Sequence, residues 1–397
     1  MSDTDKKLLL YRLAAMSFFF MQGIVFSSWT TRIADIRTAL NLSEAQLGTI
    51  LFALPLGQLL TMPLSGYLVA RFSSKKCILT ASMIYPLCLL LIDASSSITE
   101  LFLALFCFGI TANINNIAFN TQAVSVEKLS PRSIMGTMHG TWSLACFCGG
   151  IITMLFSRAG IGITEHYIIT IVYSAVNLAI FGRLLYPFDA NPREKKPGDE
   201  GKTRGMFSPT PFILMLGIVA FACMSCEGTM YDWSIIYFRD IVKVPAENSA
   251  IGYICFMSMM ALGRFGSDFF INHFGRTRVL QTNGAIITFG MMLAVIFPYP
   301  VPATIGFFLV GIGVSSVIPI CYSSAGRSRR MPSGIAIATV SSIGFLGFLM
   351  GPPIIGHIAA ASNLRVSFAA MAVIGCFVSI IAPFLRNRLD GDDSKNQ

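Results

Sequence analysis

Charge is scarce in this chain: 12% of its 397 residues are Asp, Glu, Lys or Arg while 54% are hydrophobic, and that charged share is about half that of an ordinary soluble domain. A water-solvated fold is thereby excluded for most of the length. No G-x-x-x-x-G-K-S/T loop is present to cradle nucleotide phosphates, so ATP is not the energy source. No H-E-x-x-H, no clustered Cys and His and no G-x-S-x-G occur either, which removes a metal centre and an elbow-borne nucleophile and leaves no cofactor to expect. The net charge of +9 lacks a soluble basic domain to sit on, so it does not report a nucleic-acid partner.

What fills the chain is twelve apolar runs, each near the roughly 20 residues that cross a hydrocarbon core. They are expected at 9–31, 45–70, 77–97, 99–126, 134–158, 165–186, 210–238, 249–273, 279–298, 302–325, 333–358 and 364–386, and are called spans 1 to 12. Barrel strands would show short alternating segments instead, and these are missing. The first run is too long for a signal-peptide core and reads as an uncleaved helix.

Lys and Arg stay on the cytoplasmic side of short loops. Of the 29 basic residues, 22 lie at alternate connections, from Lys6, Lys7 and Arg12 through Arg71, Lys75 and Lys76 to Arg386, Arg388 and Lys395. Both termini are thus expected in the cytoplasm, in a bacterial inner membrane, with membrane lipids as the immediate surroundings. The ten cysteines all sit in or beside apolar runs, and the C-x-x-C of Cys223 and Cys226 reads as small packing residues within a helix.

A basic stretch from Pro187 to Pro209 divides the runs six and six, giving units at 1–186 and 210–397 about a cytoplasmic linker at 187–209. The units resemble each other. Gly23 to Gly48 aligns without a gap on Glu227 to Gly252, and Trp29 and Trp233 fall at matching positions. A basic turn follows in each, RFSSKK at 71–76 and HFGRTR at 273–278. Repeated halves are what alternating-access transporters are built from.

The turn from Gly66 to Lys76 resembles the G-x-x-x-D-R-x-G-R-K loop of the major facilitator superfamily, with Ala70 and Asn272 at the acidic position of the two copies and Ser73 in place of the loop glycine. SSWTTRIADIR at 27–37, NINNIAFNTQAVSVE at 113–127, EGTMYDW at 227–233 and GFLGFLMGPPIIG at 344–356 are similar to the bacterial YbjJ-like branch of that superfamily. The resemblance implies an all-α membrane protein, with twelve transmembrane helices in two six-helix bundles of the major facilitator fold, working as a monomer. It also implies that spans 1, 4, 7 and 10 line a solute cavity.

Ionisable groups inside a membrane are costly and are functional candidates by default. Glu227, near the middle of span 7, is the first candidate for proton coupling, since a carboxyl withdrawn from water can take and release a proton as access changes. Asp232 follows five residues on, about 140 degrees around the helix, and is a second coupling candidate or a partner for Arg32 or Arg37 at an outer gate. Arg264 and Asp268 have the i to i+4 spacing of a gating ion pair on span 8. Asn113, Asn116 and Asn120 recur on one face of span 4 with Asn115 beside it; amides donate and accept, which suits a heteroatom-rich solute, and they also bond helix to helix.

Gln22 and Phe26 on span 1, Tyr231 on span 7, and Ser316 and Tyr322 on span 10 are further solute-contact candidates by the cavity-lining rule. His139, with Trp142 and Ser143, begins span 5, while His166 and His357 stand at outer helix ends. These patterns point to a secondary transporter of a small polar solute, a proton-coupled symporter. Proton-driven efflux is the alternative, weakened because Gly149 and Gly150 lack the proline that marks efflux members of the superfamily. A membrane sensor without transport is the alternative of another class, and it has no soluble output domain here.

Overall fold

The computed structural model describes residues 3–130, 134–188, 210–327 and 333–390. Nearly all of the expected linker, including Arg193, Lys195, Lys196, Lys202 and Arg204, lies outside the described residues, as do the side chain of Asp268 and the Arg329–Arg330 pair.

Among the described residues, twelve helices are long and apolar enough to cross a membrane. The first six are span 1 (Lys6–Ala39), span 2 (Glu44–Phe72), span 3 (Ser74–Asp93), span 4 (Ile98–Glu127), span 5 (Thr137–Arg158) and span 6 (Ile163–Leu184). The second six are span 7 (Pro211–Asp240), span 8 (Ala246–Ser267), span 9 (Arg276–Ile296), span 10 (Pro300–Gly326), span 11 (Ala336–Ala361) and span 12 (Leu364–Leu385). The chain is a multi-pass membrane protein of all-α class, with no strand among the described residues.

Helix starts follow from their capping chemistry. Ser43 accepts from the Gln46 N–H while the Gln46 side chain accepts from the Ser43 N–H, a reciprocal cap for span 2. Thr210 accepts from the Ile213 N–H ahead of Pro211, whose missing N–H costs nothing in a first turn. Ser97 and Asn363 cap spans 4 and 12 in the same way.

Among the described residues, spans 1, 2 and 10 are interrupted inside their length. Span 1 turns at Thr31 and Arg32, span 2 at Phe52, and span 10 at Ser316, three residues before Pro319. Proline cannot donate to the carbonyl one turn back, so the last break is written in the sequence.

The two repeat turns share one unusual backbone. Ser73 has φ 81° and ψ 152°, and Gly275 has φ 81° and ψ 158°. Such a conformation is easy for glycine and rare for serine, so the first copy keeps the turn despite losing its glycine. Each turn is held to the end of its own six-helix unit. Lys75 donates to the Arg183 and Leu185 carbonyls, and Asp390 accepts from the Arg276 and Thr277 N–H groups.

The halves meet most closely at the membrane end away from the linker. A Cβ at Gly48 would lie 2.7 Å from the Pro352 carbonyl oxygen, and one at Gly356 would lie 2.4 Å from the Glu44 carbonyl oxygen. Only glycines let spans 2 and 11 touch backbone to backbone there. Spans 5 and 8 touch at Gly150, against Tyr253 and Ile254, and again nearer the linker end at Gly140, against Phe265.

Candidate functional site

At that far end the contact is also ionic. Arg37 bonds to Asp240 and, at 2.8 Å, to Glu44, while Asp35 bonds to Arg239 and, at 3.1 Å, to Arg32. Arg158 donates to Asn248 across the same seam at 2.7 Å. The expected gate partner is corrected here: Arg37 is met by Asp240, the last residue of span 7, and Arg32 is met by Asp35 and His166, whereas Asp232 lies two helical turns short of that seam. Asp232 is half-buried and makes no hydrogen bond or ion pair among the described residues. His166, at the outer start of span 6, is 1% exposed and accepts from the Arg32 Nε at 3.2 Å.

Behind this closed end, a cavity of about 350 Å³ lies between the halves at mid-membrane depth. Gln22, Phe26, Asn113, Asn116, Glu227, Tyr231 and Arg264, all singled out from the sequence, line it. His139 and Asn116 are exposed within it, so it is open to water from the linker end.

Span 7 supplies the acid. The Glu227 Oε1 accepts from the Tyr231 hydroxyl at 2.7 Å and from Arg264 at 3.1 Å, and the guanidinium also donates to the Ser143 hydroxyl on span 5 at 2.8 Å. Glu227 and Tyr231 are one turn apart on one helix, which aims both side chains at the same point. Arg264 therefore joins a carboxylate of the second half to a hydroxyl of the first. The other Glu227 oxygen has no protein partner among the described residues, and the side chain is 11% exposed.

Arg264 was expected to pair with Asp268 along its own helix. Its partners among the described side chains are Glu227 and Ser143, because spans 7 and 8 pack side by side and bring the acid within reach. The Asp268 side chain itself lies outside the described residues.

Aromatic rings form the wall toward the closed end. Tyr231 meets Phe26, Trp142, Phe256 and Phe348 edge to face, with centroids 5.6, 6.2, 5.7 and 6.2 Å away. Edge-to-face contacts of this kind fix a ring's orientation as well as filling space. Trp142 and Phe348 complete a wall for which the sequence reading named only Phe26 and Tyr231 as solute contacts; the signal for Trp142 was its place among polar His139 and Ser143.

The amides divide into two groups. Asn113 accepts from the Ser65 hydroxyl at 2.7 Å and Asn115 accepts from Ser82 at 3.1 Å, so both tie span 4 to its neighbours. Gln22 donates to the Ala112 carbonyl at 3.3 Å. Asn120 donates to the Asn116 side chain at 2.6 Å and does not line the cavity, which leaves Asn116 as the amide most open to a solute.

Two candidates on span 10 are elsewhere. Ser316, 4% exposed, accepts from Asn283 at 2.7 Å at the helix break. Tyr322 is half-buried, within hydrogen-bonding reach of Ser341. Neither lines the central cavity. The break at Ser316 turns this part of span 10 from the path an unbroken helix would follow. Gln58 on span 2 lines the cavity and was missed, although a lone amide in an apolar run was a visible signal.

Comparison with known proteins follows the same lines. The profile of the Major Facilitator Superfamily matches residues 13–333. An uncharacterized transporter of this type from Yersinia pestis is 31% identical over 90% of this chain and 91% of its own. The membrane protein MosC of Rhizobium meliloti is 28% identical over 98% of this chain and 93% of its own. Among solved structures, the nucleoside transporter NupG superposes with a TM-score of 0.76 at 14% identity, over 96% of this chain and all of that one. A bacterial homolog of the human lysosomal transporter Spinster, inward-facing and occupied, gives 0.74 at 15% identity over 99% of both chains. At such identities the two structures speak for the fold alone.

Proposed function

The chain belongs to the major facilitator superfamily and is a membrane transporter, and from that premise we propose that it moves a small polar solute by alternating access, in symport with a proton carried by Glu227. The observation that supports this most is the sharing of Arg264 between Glu227 on one half and Ser143 on the other, at the wall of a water-open cavity.

A charged Glu227 holds Arg264 beside it. When a proton arrives on the carboxylate, the ion pair is lost and the guanidinium is left with Ser143 and the cavity water. An unpaired cation in the membrane interior is costly, so the balance between spans 5 and 8 shifts with protonation. A proton bound in one conformation more tightly than in the other thereby biases the two conformations, which is the requirement for coupling.

The solute sits between the aromatic wall and the amides. Gln22, Asn116 and Gln58 offer donors and acceptors, and Tyr231, Phe26 and Trp142 offer ring edges and faces, which suits a compact molecule with several heteroatoms and one apolar face. Both termini face the cytoplasm in this reading, so the linker end is the cytoplasmic end and the ion-paired end is external. The inward-open shape is then one of two states. Asp232, unpaired and behind the aromatic wall, is a second proton site on the outer path.

A thermal-shift screen of the detergent-purified protein against sugars, nucleosides, amino acids and carboxylates finds the solute. Flux of that solute into proteoliposomes then tests the coupling. Uptake rises with an inward proton gradient and collapses with a protonophore if the reading holds; flux indifferent to both removes the proton from it.

A further inference from the structure

Outside the central cavity, spans 8 and 9, joined by the turn at Gly275, leave between them a cleft of about 610 Å³ over a floor made by span 10. Its position and lining are unrelated to Glu227. Phe270 and Phe274, with ring centroids 6.4 Å apart, wall one side, and Val279, Ala285 and Ile286 wall the other. The polar groups of its floor are already satisfied, since Asn283 donates to Ser316 at 2.7 Å and Ser315 donates to the Ile312 carbonyl at 2.6 Å. What remains open to an occupant is mostly apolar, with Thr282 and Gln281 the exposed polar exceptions on span 9.

The cleft ends in a second hollow of about 620 Å³, and Phe274, Arg278 and Gln281 line both. This mouth has the opposite character. Arg278 and Arg386 are exposed and have no protein partner among the described residues, and Arg276 adds a third guanidinium. The one acid there among the described residues, Asp390, has its Oδ1 committed to the Arg276 and Thr277 N–H groups at 2.9 and 3.3 Å. His273 stands at the rim, stacked parallel to Phe269.

From Arg278 to Ile286 the helix rises about 12 Å, against about 15 Å for the hydrocarbon of one leaflet. An apolar cleft of nearly leaflet depth, opening on two unpaired guanidiniums at the membrane end, matches one kind of molecule. We propose that it holds an anionic phospholipid from the leaflet at the linker end, its phosphate on Arg278 and Arg386 and an acyl chain between Phe270 and Ile286. The complementarity is double, of charge at the mouth and of apolar surface below.

The test is native mass spectrometry of the full chain in detergent, titrated with dioleoylphosphatidylglycerol or dioleoylphosphatidylcholine. The wild type retains the anionic lipid several-fold more than the zwitterionic one. Arg278→Gln with Arg386→Gln lowers retention of the anionic lipid to that of the zwitterionic one. Ala285→Trp, which fills the cleft and leaves the mouth intact, does the same. Equal retention of both lipids by the wild type overturns the proposal, as does retention unchanged by either variant. A parallel thermal-shift arm with inorganic phosphate separates lipid from free anion; stabilisation by phosphate equal to that by the anionic lipid also overturns it.

Discussion

The repeat sets Gly23 of span 1 opposite Glu227 of span 7, and the two halves use that one position in contrary ways. A Cβ at Gly23 would lie 2.6 Å from the Trp142 carbonyl oxygen and 2.6 Å from the Ala145 Cβ, so the first half uses the place to press span 1 against span 5. The second half puts a carboxylate there and answers it with Tyr231 and Arg264. One fold copied twice thus yields a half that packs and offers amides, and a half that holds charge. The same division recurs at the far end, where Asp35 and its repeat equivalent Arg239 carry opposite signs and bond each other.

The comparison is broken most severely at the cavity. Arg264→Gln strands Glu227, and removing one partner of a buried pair costs about 3–5 kcal/mol. Glu227→Gln in the same chain restores most of that, because neither charge then remains; thermal unfolding in detergent reads both. Equal instability of the single and double variants would show that the two side chains do not act as a pair. Next comes the glycine crossing that lets the halves meet. Gly356→Val drives a side chain into the Glu44 carbonyl and destabilises the closed far end by about 1–3 kcal/mol, the range for overpacking. A cysteine placed at Thr49, beside that crossing, should then label faster with a membrane-impermeant maleimide.

The ion pairs at the far end are the mildest lever. Their side chains are 18–35% exposed across the two cross-half pairs, and pairs of that kind contribute about 0.2–1 kcal/mol each. Asp35→Arg alone sets a cation against both Arg239 and Arg32 and raises labelling at the seam. Asp35→Arg combined with Arg239→Asp returns it part of the way, since the cross-half pair is restored with its signs exchanged while the new arginine still faces Arg32. No recovery in the double swap would mean that the equivalence is one of sequence and not of role.

Much of this was legible beforehand for a simple physical reason: lipid forces apolar runs of fixed length, and cytoplasmic cations mark alternate loops. Most spans found differ from those read by up to four residues at their ends, while span 1 runs eight further, to Ala39, and the repeat's two tryptophans are both buried, with indole N–H groups that have no partner among the described residues. Residues brought together by packing between helices were less legible. Spacing along span 8 offered Arg264 the neighbour four residues on and gave no sign of the acid 37 residues earlier on span 7 that it meets. Arg37 likewise found Asp240 rather than Asp232. Periodicity says which face a residue is on; it does not say which helix that face meets. The three asparagines show the same limit, for one shared face divides into a bond to Ser65, an open amide and a partner for that amide.

Glu227 is the residue on which the account turns, and Glu227→Gln is the variant that isolates it. In proteoliposomes given an inward proton gradient, with the solute from the screen labelled on the outside, the wild type should accumulate it against its own gradient. The variant should still exchange labelled for unlabelled solute, while its accumulation ratio falls to about one because no second gradient is linked to the conformational change. Accumulation by the variant equal to that of the wild type would contradict the account.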